Sequence, residues 1–194
     1  MTLRALFIFS ICITFASCKE DKKALTPKQE AASIGESINA YVLQNQIGIS
    51  QEDIAQMRIT AAATVEHRQK EGGNKAVTMI HNDLWVIEAM LKGSNVVFGE
   101  TLKGGWIDFG EDLNYSYGQF DETKGGGRYF YDFDKHSLIL LDNNPHIKPQ
   151  EFDVLTQSEL IVLSGKNVYR DNDMQAKLIN RKEKPLKFPE GVKK

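Results

Sequence analysis

Cys18 occupies a position at which the surrounding sequence pattern predicts a specific chemical modification. It follows an apolar run, residues 5–16, which is itself preceded by Arg4, and a charged stretch begins directly after it. A positive residue, an apolar run and a junction of small residues are the three parts of a signal peptide that is removed on export. The run is shorter than the ~20 residues that a membrane-spanning helix needs. Residues 1–17 are therefore predicted to be a cleaved signal peptide.

The cysteine count narrows the chemistry of Cys18. The sequence contains two cysteines, and the other, Cys12, lies within the predicted signal peptide. Cys18 would then be the single thiol of the mature chain, without a partner for an intramolecular disulfide. An exported protein meets an oxidising compartment, where a lone thiol needs an explanation. Thioether attachment of a lipid explains it, and an ordinary signal peptide followed by an incidental cysteine is the alternative.

The junction Ala16-Ser17-Cys18 resembles the lipobox of bacterial lipoproteins, with Phe15 at the position where that motif usually has Leu. The resemblance implies acyl chains such as palmitate on Cys18, and two or three chains hold a protein on a membrane far more firmly than one. Lys19-Glu20-Asp21 is similar to the export tag of Bacteroidota lipoproteins on the outer face of the outer membrane. A plain charged tether over residues 18–25 has the same composition. We therefore expect a lipid-anchored outer-membrane protein of the cell envelope, with surface exposure left open.

The charge balance excludes one class of partner. The chain has 24 Lys and Arg residues against 26 Asp and Glu residues, a net charge of −2. Nucleic acid is therefore not an expected partner, because its binding depends on concentrated positive charge. The basic segment 184–194 is predicted to be a flexible tail.

Residues 26–93 carry helical periodicity and are predicted to form about three helices. The first begins with Thr26 as N-cap before Pro27 and ends at Gly48, with an apolar stripe of Ala31, Ile34, Ile38, Tyr41 and Val42. The second begins at Ser50 and ends at Gly72, with one apolar face of Ile54, Met57, Ala61 and Val65. Each of the two therefore has a predicted start, a predicted end and an apolar face.

A third helix is predicted to end at Gly93, on the alternating spacing of Val77, Ile80, Leu84, Ile87 and Leu91. Trp85 and Val86 favour a strand at the same place, and the longer period is given more weight. With this helix, the predicted fold class is α+β, in which the helical region precedes an antiparallel β-meander over residues 94–183.

The β-meander is predicted from short runs rich in aromatic and β-branched residues. The runs are 106–109, 113–118, 128–133, 137–141, 152–155, 160–164 and 176–181, and residues 96–99 are a candidate eighth strand. Gly125-Gly126-Gly127 is predicted to be a connection between two of them. Consecutive strands without an intervening helix pair antiparallel, and such a sheet either packs on another element or closes on itself.

Leu102-Lys103-Gly104-Gly105-Trp106 resembles the Gly-x-Trp opening of lipocalins and of the small lipocalin-like domains of bacterial lipoproteins. Arg181 stands where that family has an arginine at the end of the last strand. The resemblance covers about residues 102–182 and implies a lipocalin-like barrel or half-barrel. It also implies that Arg181 lies over Trp106 and closes the bottom of the barrel, a cation–π contact of roughly 0.5 to 2 kcal/mol.

The alternation of side chains along the predicted strands selects candidates for the barrel interior. The candidate ligand-lining residues are Tyr115, Tyr117, Tyr129, Tyr131, Phe133, Phe152 and Val154. Apolar walls with a few hydroxyls suit a small apolar or amphipathic ligand, but the same side chains would also form a filled core. Two functions therefore stay open: a lipid-anchored ligand-binding protein, and an envelope interaction or structural protein with a filled barrel and an envelope protein partner.

Catalytic and metal-binding signatures are absent from the sequence. The spacings of the four histidines match no zinc motif; they are His67, His81, His136 and His146. The sequence has no Gly-x-Ser-x-Gly nucleophile elbow. We therefore expect no enzyme activity, no cofactor and no metal, and a hydrolase with an unrecognised site is the third hypothesis.

Overall fold

The structure is a computed structural model that describes residues 48–71, 80–81, 83–97 and 102–187. Within these ranges the chain forms one helix, α1 (Gln51–Lys70), and nine strands. The strands are β1 (Leu84–Lys92), β2 (Asn95–Val97), β3 (Gly105–Phe109), β4 (Asn114–Gln119), β5 (Glu122–Asp132), β6 (Ser137–Asp142), β7 (Gln150–Gln157), β8 (Leu160–Lys166) and β9 (Met174–Arg181).

The sheet closes on itself. Strands β3 to β9 pair antiparallel, each with the next along the chain, and β1 pairs with β3 on one side and with β9 on the other. Eight strands, β1 and β3 to β9, therefore form an up-and-down antiparallel barrel, while β2 extends one end of β1 as a short hairpin. Closure leaves no unpaired barrel edge. The predicted barrel is confirmed.

The prediction of three helices, and with it the α+β fold class, is wrong. The segment predicted as the third helix contains β1, whose Val86 pairs with both Trp106 and Ile179. A bulge between Ile87 and Ala89 shifts the alternation of β1 by one residue. The interior side chains of β1 are therefore Trp85, Ile87 and Met90. The predicted helical spacing followed Leu84, Ile87 and Leu91 instead, so only Ile87 belongs to both sets.

The other two predicted helices have different outcomes. The second is confirmed as α1, where the Ser50 hydroxyl accepts a hydrogen bond from the Asp53 amide at 3.1 Å. This contact satisfies one of the free amide groups at the helix start. The first predicted helix, residues 27–47, lies outside the described residues.

The seven predicted strands are confirmed, with bounds that are extended or, for β4, shifted by one residue, but the predicted Gly125-Gly126-Gly127 connection is wrong. These glycines lie inside β5, and the turn between β4 and β5 is at residues 120–121. Gly125 pairs with Tyr117 across the sheet. A Cβ on Gly125 would lie 2.5 Å from the Tyr117 hydroxyl oxygen, so the missing side chain makes room for the tyrosine.

Two packed regions stabilise the described fold. The first is the barrel interior, a continuous cluster of apolar and aromatic side chains from all eight barrel strands. The second lies outside the barrel, where α1 covers β5 and β6 and buries Val65 against Phe130 and Ile139. Burying side chains of this size stabilises a fold by roughly 1.5 to 3 kcal/mol each.

The two ends of the barrel differ in their connections. The loop end carries the long β6–β7 and β8–β9 loops, residues 143–149 and 167–173, and the turn end carries the short connections 110–113, 133–136 and 158–159. Helix α1 begins at the loop end, where its Gln51 contacts His146 at 2.7 Å.

Candidate functional site

Six of the seven candidate ligand-lining residues lie in the barrel interior. Their exposed fractions range from 0% to 7%; they are Tyr115, Tyr117, Tyr129, Tyr131, Phe152 and Val154. Their rings contact one another and other core side chains: the ring centroids of Phe109 and Tyr129 are 5.0 Å apart, and those of Tyr115 and Tyr117 are 6.3 Å apart. Exposures this low leave little space between the side chains, which favours the interpretation of a filled core.

Phe133 has a different position. It follows the end of β5, is 37% exposed, and its ring lies 5.9 Å from the His136 ring in the β5–β6 turn. It therefore lies at the turn end of the barrel and not among the interior aromatic side chains.

Trp106 lies on the outer face of β3. Ile107 and Phe109 point into the interior cluster, and side chains alternate between the two faces of a strand, so Trp106 points the opposite way. Its indole nitrogen donates a hydrogen bond to the Phe120 carbonyl at 2.8 Å. The Lys184 ammonium lies 4.1 Å from the ring centroid. Lys184 thus takes the place over Trp106 that the family resemblance assigned to Arg181.

Arg181 is the last residue of β9 and is exposed. Its backbone pairs with Leu84 at the start of β1, and its guanidinium donates a hydrogen bond to the Asn180 carbonyl at 3.0 Å. Arg181 therefore contributes to barrel closure through its backbone, which pairs β9 with β1.

A buried carboxylate adds polarity to the interior near the loop end. Asp142, at the end of β6, accepts a hydrogen bond from the Tyr115 hydroxyl at 3.4 Å and from the Asn144 amide at 2.8 Å. Burial raises the pKa of Asp142, and these donors, together with Tyr117 and the nearby Arg58 charge, partly oppose that rise. Burial and the Asp142 charge raise the pKa of Tyr117 to about 12. The phenols therefore stay protonated at neutral pH.

Three buried side chains carry polar atoms without a hydrogen-bond partner among the described residues. They are both amide atoms of Gln150, the hydroxyl of Tyr131 and the amide oxygen of Asn172. A buried polar atom without a partner costs about 1 to 3 kcal/mol. A small molecule inside the barrel that forms hydrogen bonds with these atoms would remove this cost.

Lys148 joins the two loops of the loop end. Its side chain is 1% exposed, and its ammonium donates hydrogen bonds to the Tyr169 carbonyl at 3.1 Å and to the Asp171 carbonyl at 2.7 Å. Burial lowers the pKa of Lys148 to about 8, and the charges of Asp171 and Asp173 oppose that shift. The sequence gives no sign of this role, because a lysine in a polar loop usually lies in water.

Arg58 connects α1 to the same end. Its guanidinium donates hydrogen bonds to the Ile147 carbonyl at 2.9 Å and to the Asp142 carbonyl at 2.7 Å. Together with Lys148, it holds the β6–β7 loop from two sides. The loop end is therefore a braced surface, although its connections are long.

A second charged cluster lies under α1. Glu151 of β7, whose side chain is 3% exposed, accepts a hydrogen bond from the Ser137 hydroxyl at 2.6 Å. Arg68 of α1 and Lys166 of β8 lie 3.4 Å and 3.8 Å from the same carboxylate oxygen. This network fixes the second half of α1 on the barrel.

Two adjoining depressions run along α1, and we call them together the α1 groove. One of about 690 Å³ is lined by Ile59, Thr60, Ala63, Thr64, His67, Arg68, Glu71 and Lys135. The other, of about 390 Å³, is lined by Asp53, Gln56, Met57, Thr60, Thr64, Arg68, Glu151, Val168 and Tyr169. Thr60, Thr64 and Arg68 belong to both, so the two form one surface along the helix.

The described residues contain no group of three or more His, Cys, Asp or Glu side chains placed to hold a metal ion. Likewise, no helix within the described ranges has the length and apolar character needed to cross a membrane. Cys18, the predicted lipidation site, lies outside those ranges.

Comparison with known proteins identifies no family for this chain. No protein-family model matches the chain, and no curated protein matches its sequence. Among solved structures, the chain is similar to a DUF4847 family protein from Bacteroides vulgatus, with a TM-score of 0.39 and 9% sequence identity. The similarity covers 55% of this chain and 97% of that protein.

Proposed function

We propose that this chain is a lipid-anchored, non-enzymatic protein of the cell envelope, attached to the outer membrane through Cys18. Its lipocalin-like barrel is a filled scaffold that presents an outer surface to an envelope protein partner. The observation that carries this proposal is the packing of the predicted lining residues against one another, with at most 7% of any of those six side chains exposed. A carrier needs space that such packing does not leave.

The loop end is the presented surface in this proposal. Lys148 and Arg58 brace its loops through four hydrogen bonds to backbone carbonyls. A braced surface loses less conformational entropy on binding than a mobile one, which increases affinity. Val168, 55% exposed, supplies an apolar contact beside these polar groups.

The lipid anchor is tested by replacing its attachment residue. Cells producing the full chain are grown with labelled palmitate, and Cys18→Ser is compared with the unaltered chain. We expect the label and the membrane association to be lost in Cys18→Ser, with Cys12→Ser as the matched control that keeps both. A Cys18→Ser chain that keeps its label contradicts the anchor.

A second candidate function is the binding of a small amphipathic ligand inside the barrel. The observation in its favour is the set of unpartnered polar atoms on Gln150 and Tyr131. Mass spectrometry of the intact protein, purified from its envelope under non-denaturing conditions, separates the two functions. We expect the mass of the acylated chain alone, and an additional bound molecule that is lost in Gln150→Leu would favour the carrier.

A further inference from the structure

The buried carboxylate of Glu151 uses only one of its two oxygens. The Ser137 hydroxyl and the Arg68 guanidinium donate hydrogen bonds to Oε1, at 2.6 Å and 3.4 Å, and the Lys166 ammonium lies 3.8 Å from the same oxygen. The other oxygen, Oε2, accepts no hydrogen bond from the residues that the structure describes. Since a carboxylate can accept about four hydrogen bonds, Glu151 keeps acceptor capacity that these contacts do not use.

Oε2 is open to the smaller of the two depressions in the α1 groove. Glu151 lines this depression of about 390 Å³, although its side chain is only 3% exposed. The fully enclosed polar atoms without a partner belong to Gln150, Tyr131 and Asn172, and Oε2 is not among them. A largely buried anionic oxygen is costly unless a donor reaches it. Its position therefore favours a ligand that donates hydrogen bonds.

The other walls of the depression are partly polar and partly apolar. Thr60 donates its hydroxyl hydrogen to the Gln56 carbonyl at 3.1 Å, so towards a ligand this hydroxyl can only accept. Met57 and Val168 supply apolar surface, and Val168 is 55% exposed. A matching ligand therefore combines a hydrogen-bond donor with an apolar part.

The charges around Glu151 are balanced. Its neighbours Arg68 and Lys166 are positive, and Lys166 also pairs with the Asp153 carboxylate at 3.1 Å. Two positive side chains therefore face two negative ones. A ligand with a net charge would disturb this balance in a place with little water, where an uncompensated charge is costly. A ligand with one charge of each sign keeps the balance.

We propose that this depression binds an α-amino acid with an apolar side chain. The ammonium group of the ligand donates to Glu151 Oε2. Its carboxylate accepts from Arg68, whose guanidinium has more N–H donors than its two contacts with Oε1 use. The apolar side chain of the ligand lies against Met57 and Val168. This site goes beyond the proposed function, since neither a lipid on Cys18 nor an envelope partner is needed for it.

The distance between the two charged side chains selects this class of ligand. A guanidinium nitrogen of Arg68 lies 3.4 Å from Glu151 Oε1, so the two charged groups that bind these side chains must also be close together. In an α-amino acid a single carbon joins the ammonium group to the carboxylate. A long chain between the two groups does not meet this condition.

Isothermal titration calorimetry with L-norleucine tests the site in the full mature protein, purified from its envelope in detergent. Three related probes each lack one feature of L-norleucine. Pentylamine has no carboxylate, hexanoate has no ammonium group, and the isomer 6-aminohexanoate has both groups far apart. We expect saturable binding of one L-norleucine per chain, and affinities at least about tenfold lower for the other probes, because each loses a charged hydrogen bond. Absence of saturable L-norleucine binding, or equal affinity for any of the three, would overturn the proposal.

Variants then locate the bound amino acid. Val168→Trp fills the depression without changing Glu151 or Arg68 and should lower the affinity for L-norleucine at least about tenfold. The matched control is Leu155→Trp, because Leu155 is 67% exposed and does not line the α1 groove. We expect its affinity to equal that of the unaltered chain. Equal affinities in Val168→Trp and Leu155→Trp would place the ligand elsewhere and contradict the site.

Glu151→Gln tests the charge with little change of shape. We expect a loss of affinity for L-norleucine of at least about tenfold, because the ammonium group loses its anionic acceptor. Glu151 also fixes α1 on the barrel, so circular dichroism checks that the variant is folded. If it is not folded, Val168→Trp, which retains Glu151, decides the question. A folded Glu151→Gln chain with unchanged affinity would rule out the carboxylate as the ammonium acceptor.

Discussion

The Lys148 ammonium donates a hydrogen bond to the backbone carbonyl of Tyr169, 3.1 Å away. This contact joins the β6–β7 loop to the β8–β9 loop at the loop end of the barrel. A second bond from the same ammonium, to the Asp171 carbonyl, strengthens the connection. One buried lysine therefore links two loops that are distant in sequence.

Lys148→Met should lower the free energy of unfolding by roughly 1 to 3 kcal/mol. The methionine fills similar space but leaves two carbonyl groups without a donor, and a buried acceptor without a partner costs about that much. The measurement is urea unfolding at pH 7. Lys177→Met is the matched control, because Lys177 pairs with Glu88 on the exposed barrel surface and such pairs contribute about 0 to 1 kcal/mol. Equal losses in both variants would contradict the bracing role.

The stability contributed by Lys148 should also depend on pH. Its pKa is about 8 in the folded protein against an ordinary value of 10.5, so the unfolded chain binds more protons between these values. Stability due to this group therefore increases as the pH rises from about 8 to 10.5. We expect the difference in unfolding free energy between the unaltered chain and Lys148→Met to grow over that range. A constant difference would show that the lysine pKa is not lowered by folding.

The sequence predicts those parts of the fold that depend on residue patterns within a short segment. The strands from β3 to β9 were predictable because aromatic and β-branched residues alternate in each and turn residues separate them. β1 was not, because its bulge after Ile87 breaks the alternation. The run of glycines in β5 is typical of a turn unless its partners are known. The reason that side chains are excluded there lies in the neighbouring strands: the Tyr117 ring faces Gly125, and the Leu141 carbonyl faces Gly127.

The candidate site depends still more on tertiary contacts. Sequence alternation selected six side chains of the barrel interior and misplaced Phe133, but it cannot tell a packed ring from one that lines a cavity. Lys148 and Arg58 carry no local signal, because their partners are backbone carbonyls of distant segments. Lys184 also carries no local signal, because the Trp106 ring that it contacts is distant in the sequence.

Asp142→Asn should remove a pH-dependent contribution to stability. Burial raises the pKa of Asp142 above its ordinary value of 3.8, so the folded chain binds more protons than the unfolded one just above that pH. The contribution is fully present below pH 3.8 and is lost as the pH rises through the folded pKa. The unaltered chain should therefore lose stability relative to Asp142→Asn as the pH rises from 3.5 to 7. Urea unfolding across that range measures it, and parallel curves for the two chains would contradict the raised pKa.

Gly127→Ala should destabilise the barrel more than Gly125→Ala. A Cβ on Gly127 would meet the backbone carbonyl of Leu141, which cannot move without distorting β6, whereas a Cβ on Gly125 meets the Tyr117 side chain. Overpacking of this kind costs typically 1 to 3 kcal/mol. Thermal unfolding of both variants gives the comparison.

A matched double variant tests the glycine–tyrosine contact itself. Tyr117→Phe removes the hydroxyl nearest to the added methyl group, so it should recover part of the loss in Gly125→Ala and none of the loss in Gly127→Ala. Equal recovery in both backgrounds would show that the glycines are required for a different reason.

Trp106→Ala should lower the free energy of unfolding by roughly 3 to 5 kcal/mol, the usual cost of truncating a buried aromatic side chain. Trp106 is 1% exposed and donates a hydrogen bond to the Phe120 carbonyl. Lys184→Met should cost no more than about 1 kcal/mol, because Lys184 is exposed and cation–π contacts at exposed sites are worth about that much. Arg181→Met is the control for the family-derived assignment. The loss of stability in Arg181→Met could disappear in the Trp106→Ala background while that in Lys184→Met does not. This result would show that Arg181, and not Lys184, contacts the Trp106 ring.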